Sequence, residues 1–83
     1  MAQMEMNPAR TLTEAEISFL LFRMDREGGF RTALWNARAK ADLANQRKLA
    51  GGFPEEVEVY RRFATEEGYF DLLQSLAKKE NVA

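Results

Sequence analysis

The stretch from Phe30 to Ala50 is the feature of this sequence that most constrains its fold. It contains neither glycine nor proline, and Gly51 and Gly52 follow it directly, as is typical of a helix end. A single helix of this length would extend about 30 Å, because each residue adds about 1.5 Å. The pattern therefore predicts one long helix over residues 30–50, with shorter helices packed against it.

The apolar residues of this predicted helix fall on two opposite sides when about 100° is allowed per residue. One side carries small residues, here called the alanine stripe: Ala33, Ala37, Ala41 and Ala44. The opposite side carries Trp35, Ala39 and Leu43. A compact three-helix bundle covers one side of each helix, so we expect the second side to contact another chain.

Start and stop signals predict the other helices. Thr13 and Glu16 have the spacing of a capping box, and Thr11 and Glu14 have the same spacing one half-turn earlier. Gly28 is expected to end the first helix in a left-handed conformation. Pro54 suits the first position of a helix, whereas Gly68 would cost about 1 kcal/mol in the middle of one. We therefore expect a break near Gly68, although apolar periodicity also permits a single kinked helix. The predicted fold is all-α, a small antiparallel bundle of three to four helices over residues 12–27, 30–50, 54–66 and 69–80.

Composition limits the chain to a single small domain. Its 83 residues carry a net charge of −1, and it has no cysteine and no histidine. Disulfides, thiolate chemistry and histidine-based catalysis or zinc binding are thereby excluded. The sequence shows no signal peptide and no apolar run of about 18 residues, so a cytoplasmic location is expected. We assign residues 1–10 to a flexible N-terminal lead, 11–80 to one helical domain and 81–83 to a frayed C-terminus.

Candidate catalytic groups are sparse. The best-spaced carboxylate pairs are Glu55 with Glu58 and Glu67 with Asp71, whose helical spacing suits a cation or acid–base chemistry. No histidine accompanies them, and carboxylates near a helix start compensate the helix dipole without any ligand. The two serines likewise have no histidine to activate them. We expect no catalytic, metal-binding or cofactor-binding site, and therefore no enzyme.

The predicted long helix is also the most basic segment of the chain. It holds five basic residues against the single acidic residue Asp42. A basic helix can lie along a phosphate backbone, but the basic residues here are split between two sides of the helix. Nucleic-acid binding is therefore the alternative function, with these candidate residues: Arg31, Arg38, Lys40, Arg47 and Lys48.

The preferred hypothesis is a small non-enzymatic protein–protein interaction module, such as an adaptor, inhibitor or regulatory subunit. Tryptophan together with arginine is typical of interaction hot spots. We therefore predict a partner-binding site formed by Trp35, Ala39, Leu43 and Arg38. Self-association as a homodimer is predicted along Ala33, Ala37, Ala41 and Ala44. No contact with a membrane is expected.

Overall fold

The computed structural model describes residues 10–81, and this part of the chain is all-helical without a strand. The predicted all-α class is confirmed, but five helices are present in place of three or four. The predicted lead and frayed end, apart from Arg10 and Asn81, lie outside the described residues. The helices are α1 (Glu14–Arg23), α2 (Gly29–Lys40), α3 (Leu43–Gly52), α4 (Pro54–Thr65) and α5 (Tyr69–Glu80).

The prediction of one long helix over residues 30–50 is wrong, because the chain breaks at Ala41 and Asp42. Ala41 has an extended backbone, with ψ of 133°, and Asp42 caps the start of α3. The Asp42 carboxylate accepts a hydrogen bond of 2.9 Å from the backbone N–H of Asn45. The side chain of Gln46 donates to the carbonyl of Ala41 at 2.9 Å. Aspartate is unfavourable in the interior of a helix and is among the most favourable residues at the N-cap. Asp42 therefore starts a new helix and does not continue α2.

Helix α1 begins as predicted and ends earlier. The Thr13 side chain accepts from the N–H of Glu16, and the Glu16 carboxylate accepts from the N–H of Thr13, which completes the capping box. The helix ends at Arg23, and Asp25 takes the left-handed conformation with φ of 60°. Gly28 has φ of −68° and precedes α2, so its predicted left-handed role is wrong.

The predicted break between the last two helices is confirmed. Pro54 is the first residue of α4, a position whose backbone N–H makes no hydrogen bond within the helix, so the absence of this N–H in proline costs nothing. Gly68 has φ of 85°, a conformation that side chains disfavour and glycine adopts freely, and α5 begins at Tyr69. The single kinked helix is therefore excluded.

Helices α1 and α4 are the central elements of the packed structure, not the segment over residues 30–50. Helix α4 contacts each of the other four helices, α1 contacts α2, α4 and α5, and α3 packs chiefly on α4. The ring of Phe19 has no exposed surface and lies at the centre of an aromatic cluster. Edge-on and tilted contacts of this kind add to the free energy of burial. The rings around Phe19 belong to Phe22, Trp35, Tyr60, Phe63 and Phe70.

Candidate interaction surface

Trp35 lies in the core of the chain. Its side chain is 0% exposed, and its ring centroid lies 5.1 Å from that of Phe19 and 6.2 Å from that of Phe22. The indole Nε1–H donates to Ser18 Oγ at 2.9 Å, and the Ser18 hydroxyl donates to Glu27. The placement of Trp35 on a free side of its helix is therefore wrong, and in this structure it offers no surface to a partner.

The orientation of α2 explains why Trp35 is buried. The residues that α2 buries are Leu34, Trp35 and Arg38, so this side faces the core and the alanine stripe faces outward. Ala39 and Leu43 are exposed, and Leu43 lies on α3 with 61% of its surface exposed. The four predicted partner-binding residues are thus divided between the core and the surface. Of the alanine stripe, three residues are exposed and one is half-buried: Ala33, Ala37 and Ala44, and Ala41.

A groove of about 410 Å³ runs between α2 and α3. Its lining combines small apolar side chains with two lysines and one amide. At the other end of the two helices, Phe30 is 67% exposed and its ring lies 5.9 Å from that of Phe53. We call the lining of the groove the α2–α3 surface, which consists of Ala37, Lys40, Ala41, Asn45, Lys48 and Leu49.

Helix α3 is unusual because it buries none of its ten residues. Its half-buried residues are Gln46, Leu49 and Ala50, which lie on one side of the helix. Helices of this length are marginal in water and depend on the burial of an apolar face for their stability. The remaining face of α3 is left uncovered by the described part of the chain.

The five candidate nucleic-acid-binding residues separate into two groups. Arg31 pairs with Glu56 at 3.5 Å, and the guanidinium carbon of Arg38 lies 4.8 Å from the ring centroid of Tyr60. These two arginines are used in packing α2 on α4. The other three are exposed and form no ion pair within residues 10–81: Lys40, Arg47 and Lys48. Three exposed positive charges without an ion pair in the described residues therefore lie on α2 and α3.

The sequence pattern does not reveal that the carboxylate of Glu16 is buried. Glu16 is 3% exposed and accepts hydrogen bonds from Arg10 at 2.9 Å and from the Tyr69 hydroxyl at 2.7 Å, besides its capping bond to Thr13. Burial alone raises the pKa of Glu16, but these hydrogen bonds outweigh it and lower the pKa to about 2. Burial and the bond to Glu16 raise the pKa of the Tyr69 hydroxyl. Both carboxylate oxygens of Glu16 therefore accept hydrogen bonds within the fold, as buried polar atoms generally do.

The acidic pairs considered for chemistry are ion-paired or exposed. Glu58 is paired with Arg61, and Glu67 and Asp71 are both exposed. A cavity of about 400 Å³ between α1 and α4 includes Glu14 and Glu55 among its lining. Within residues 10–81, no three acidic side chains are grouped closely enough to hold a metal ion.

The geometry defines an all-α protein with an aromatic core and a groove of mixed apolar and basic character on its second and third helices. None of the helices in residues 10–81 is both long and apolar enough to cross a bilayer. No protein-family model, curated protein or solved structure matches the chain.

Proposed function

We propose that this protein is a non-enzymatic interaction module that binds a protein partner through the α2–α3 surface. The observation that carries the proposal is the absence of any buried residue in α3. A ten-residue helix with one face resting on α4 has its other face available, and the groove beside it is lined by Ala37, Ala41 and Leu49. Covering this groove with apolar side chains would remove apolar area from water, which drives association.

The charge around the groove supports an acidic partner. Lys40, Arg47 and Lys48 are exposed without an ion pair in the described residues, so they attract a partner that carries carboxylates. The homodimer predicted along the alanine stripe is here the alternative assembly. In a two-fold dimer the same surface of both copies meets, so the two sets of positive charge would face each other. This repulsion favours a different, acidic protein over a second copy.

Affinity measurements on matched variants test the proposal. A partner is first captured from a lysate with the full chain and purified, and its affinity is then measured by calorimetry. Ala37→Gln fills the groove without a change of charge, and Lys40→Glu with Lys48→Glu reverses the charge at its rim. We expect each variant to weaken binding by about tenfold or more, which corresponds to about 1.4 kcal/mol.

Lys78→Glu is the matched control, because Lys78 is an exposed lysine on α5. It should bind the partner like the unaltered chain. Circular dichroism should show equal helix content in all variants, since every altered residue is exposed. Equal affinity of the groove variants and the control would contradict the proposal.

Nucleic-acid binding is the second candidate, and the cluster of Lys40, Arg47 and Lys48 favours it. Fluorescence anisotropy with a labelled DNA duplex separates the two functions. A nucleic-acid binder would lose affinity steeply with salt and with Arg47→Glu, because its affinity comes from released counterions. It would be insensitive to Ala37→Gln, which changes no charge. Loss of partner binding in Ala37→Gln therefore supports the protein partner, and duplex binding that Ala37→Gln leaves unchanged supports the alternative.

A further inference from the structure

A second groove, of about 420 Å³, lies between α1 and α5 and shares no residue with the α2–α3 surface. We call it the α1–α5 groove, and its apolar floor consists of Leu20, Met24, Phe70 and Ala77. Leu20, Phe70 and Ala77 pack on the core, whereas Met24 is 42% exposed. The lining contains no carboxylate. The groove therefore offers apolar surface without any negative charge of its own.

The α1–α5 groove has a cation at each end, because α1 and α5 run antiparallel. The backbone N–H of Leu12, which precedes α1, donates to Glu80 at the end of α5. At the opposite end, the guanidinium carbon of Arg23 lies 5.9 Å from the ring centroid of Phe70, near the start of α5. Lys78 also lines the groove, and its backbone lies about 12 Å further along α5 than that of Phe70. The apolar floor thus separates the two positive charges.

Both cations are available to a ligand. Arg23 and Lys78 are exposed, and neither forms an ion pair within residues 10–81. Each lies in the last turn of its helix, where a positive charge compensates the helix dipole but keeps its N–H donors free for an anion. The guanidinium carbon of Arg23 is also 5.3 Å from the ring centroid of Phe63, so two aromatic contacts hold this group at the end of the groove.

The dimensions of the α1–α5 groove favour a small molecule over a protein segment. Pockets for small molecules typically have volumes of about 300–1,000 Å³, with a mainly apolar lining and a few polar groups that fix the ligand. Every apolar residue of α1 and of α5 is buried or half-buried, so no apolar face extends the groove along either helix. Helix α3 differs because it buries none of its residues.

We propose that the α1–α5 groove binds a small aliphatic dicarboxylate. The carbon chain lies on the apolar floor, where its removal from water favours binding. One carboxylate pairs with Arg23 and the other with Lys78, whereas a ligand with a single carboxylate leaves one of these cations without a partner. The site goes beyond the proposed function and is independent of it, because the two grooves have no residue in common.

Nuclear magnetic resonance on the full chain tests the site with three probes at pH 7 and equal ionic strength. Sodium suberate has eight carbons and a carboxylate at each end, sodium octanoate has the same length with one carboxylate, and sodium succinate has two carboxylates on a short chain. The readouts are the ¹³C-methyl signal of Met24 and the ¹⁵N amide signal of Lys78. We expect suberate to move both signals along a saturating curve.

The three probes separate the contributions of charge and chain. Suberate should bind about threefold more tightly than octanoate, because an exposed ion pair strengthens binding by at most about fivefold. Succinate should not reach saturation, since its short chain covers little of the floor. Equal affinities of suberate and octanoate, or shifts that do not saturate with suberate, would overturn the proposal without the need for any variant.

Variants assign the binding to the two cations. Arg23→Gln and Lys78→Glu should each lower the affinity for suberate to that of octanoate or below, with the helix content unchanged by circular dichroism. Lys79→Glu is the matched control, because it makes the same change of charge one residue away and outside the lining. Equal losses in Lys78→Glu and Lys79→Glu would overturn the assignment. Lys78 lies outside the α2–α3 surface, so Lys78→Glu should lose suberate and keep the protein partner.

Discussion

Ser18 shows how a single small polar residue can determine the position of a large one. Its hydroxyl oxygen accepts the indole N–H of Trp35 at 2.9 Å, and its own proton goes to Glu27. Both Ser18 and Trp35 are buried, so neither group has water as a replacement partner. The bond therefore adds to the burial of the Trp35 ring in holding this side of α2 against α1.

Replacing Ser18 with alanine should destabilise the fold by about 1–3 kcal/mol, because it leaves the indole N–H of Trp35 buried without an acceptor. Urea unfolding followed by circular dichroism measures the change. Ser75→Ala is the control, since Ser75 is the other serine of the chain and is exposed, and it should change stability by less than about 0.5 kcal/mol. Equal effects of both substitutions would show that the hydrogen bond contributes nothing.

Glu16 should make the fold sensitive to acid. Its pKa is about 2 in the folded protein against 4.5 for the free group, so its stabilising contribution is present above pH 4.5 and is lost as the pH falls towards 2. The shift corresponds to at most about 3 kcal/mol. We expect the free energy of unfolding of the unaltered chain to fall more steeply over this range than that of Glu16→Gln.

The control for this pH dependence is Glu14→Gln, which removes an exposed carboxylate from the same helical turn. Its unfolding free energy should follow that of the unaltered chain from pH 7 to the acid range. Parallel curves for Glu16→Gln and Glu14→Gln would mean that the buried carboxylate is not the group responsible.

At the scale of the elements, α3 is the helix that the rest of the chain buries least. It starts at the Asp42 cap, rests on α4 and ends in Gly51 and Gly52, and a side chain added at either glycine would meet nothing within 4 Å. These glycines are therefore not required by close packing inside the molecule. They lower the stability of the last turn because glycine loses more backbone entropy on folding than alanine does.

Gly51→Ala should stabilise the protein by about 0.5–1 kcal/mol, because the position is helical and open. Thermal unfolding measures the gain, and amide hydrogen exchange should slow in α3 specifically. Gly68→Ala is the opposing control. With φ of 85° at Gly68, an alanine there is strained and should lower the melting temperature. Stabilisation by both substitutions would contradict this assignment of the two glycines.

The elements also show what can be read from the sequence. Thr13, Pro54 and Gly68 act through local backbone chemistry, and the boundaries they predict agree with the structure. The break at Asp42 carries a local signal as well, because aspartate is a preferred N-cap residue. The surrounding residues favour helix, so periodicity alone continues the two apolar sides of α2 across this break.

The choice of the buried side of α2 is a tertiary effect. Both sides carry apolar residues, so periodicity alone does not separate them. The apolar area of each side does separate them, because the side chain of tryptophan buries far more apolar surface than a stripe of single methyl groups. The cluster around Phe19 takes the ring of Trp35 for this reason. The hydrogen bond between Glu16 and Tyr69 joins residues 53 positions apart, so no spacing rule reveals it.

At the scale of the whole molecule, the packed core and the exposed α2–α3 surface are separate. Glu80, at the end of α5, accepts a hydrogen bond of 2.7 Å from the backbone N–H of Leu12, which precedes α1. This contact ties the last helix to the start of the first one. The groove lies between α2 and α3 and shares no residue with the core cluster, so its substitution should leave the fold intact.

We expect the isolated protein to be monomeric at low salt, with a mass of 9.5 kDa by light scattering. Pairing of two copies along the alanine stripe would bring the lysines of both grooves together, and this repulsion weakens only when salt screens it. A dimer that persists at low salt and dissociates in Ala37→Gln would instead support self-association through this stripe.

The single tryptophan of the chain gives it a built-in optical reporter. The indole of Trp35 is shielded from water and held between Phe19 and Phe22, so its fluorescence should be blue-shifted in the native state and move to longer wavelength on denaturation. The emission wavelength consequently monitors the integrity of the interior without any label. A complex formed at the groove should leave this wavelength unchanged, and a substitution that loosens the interior should not.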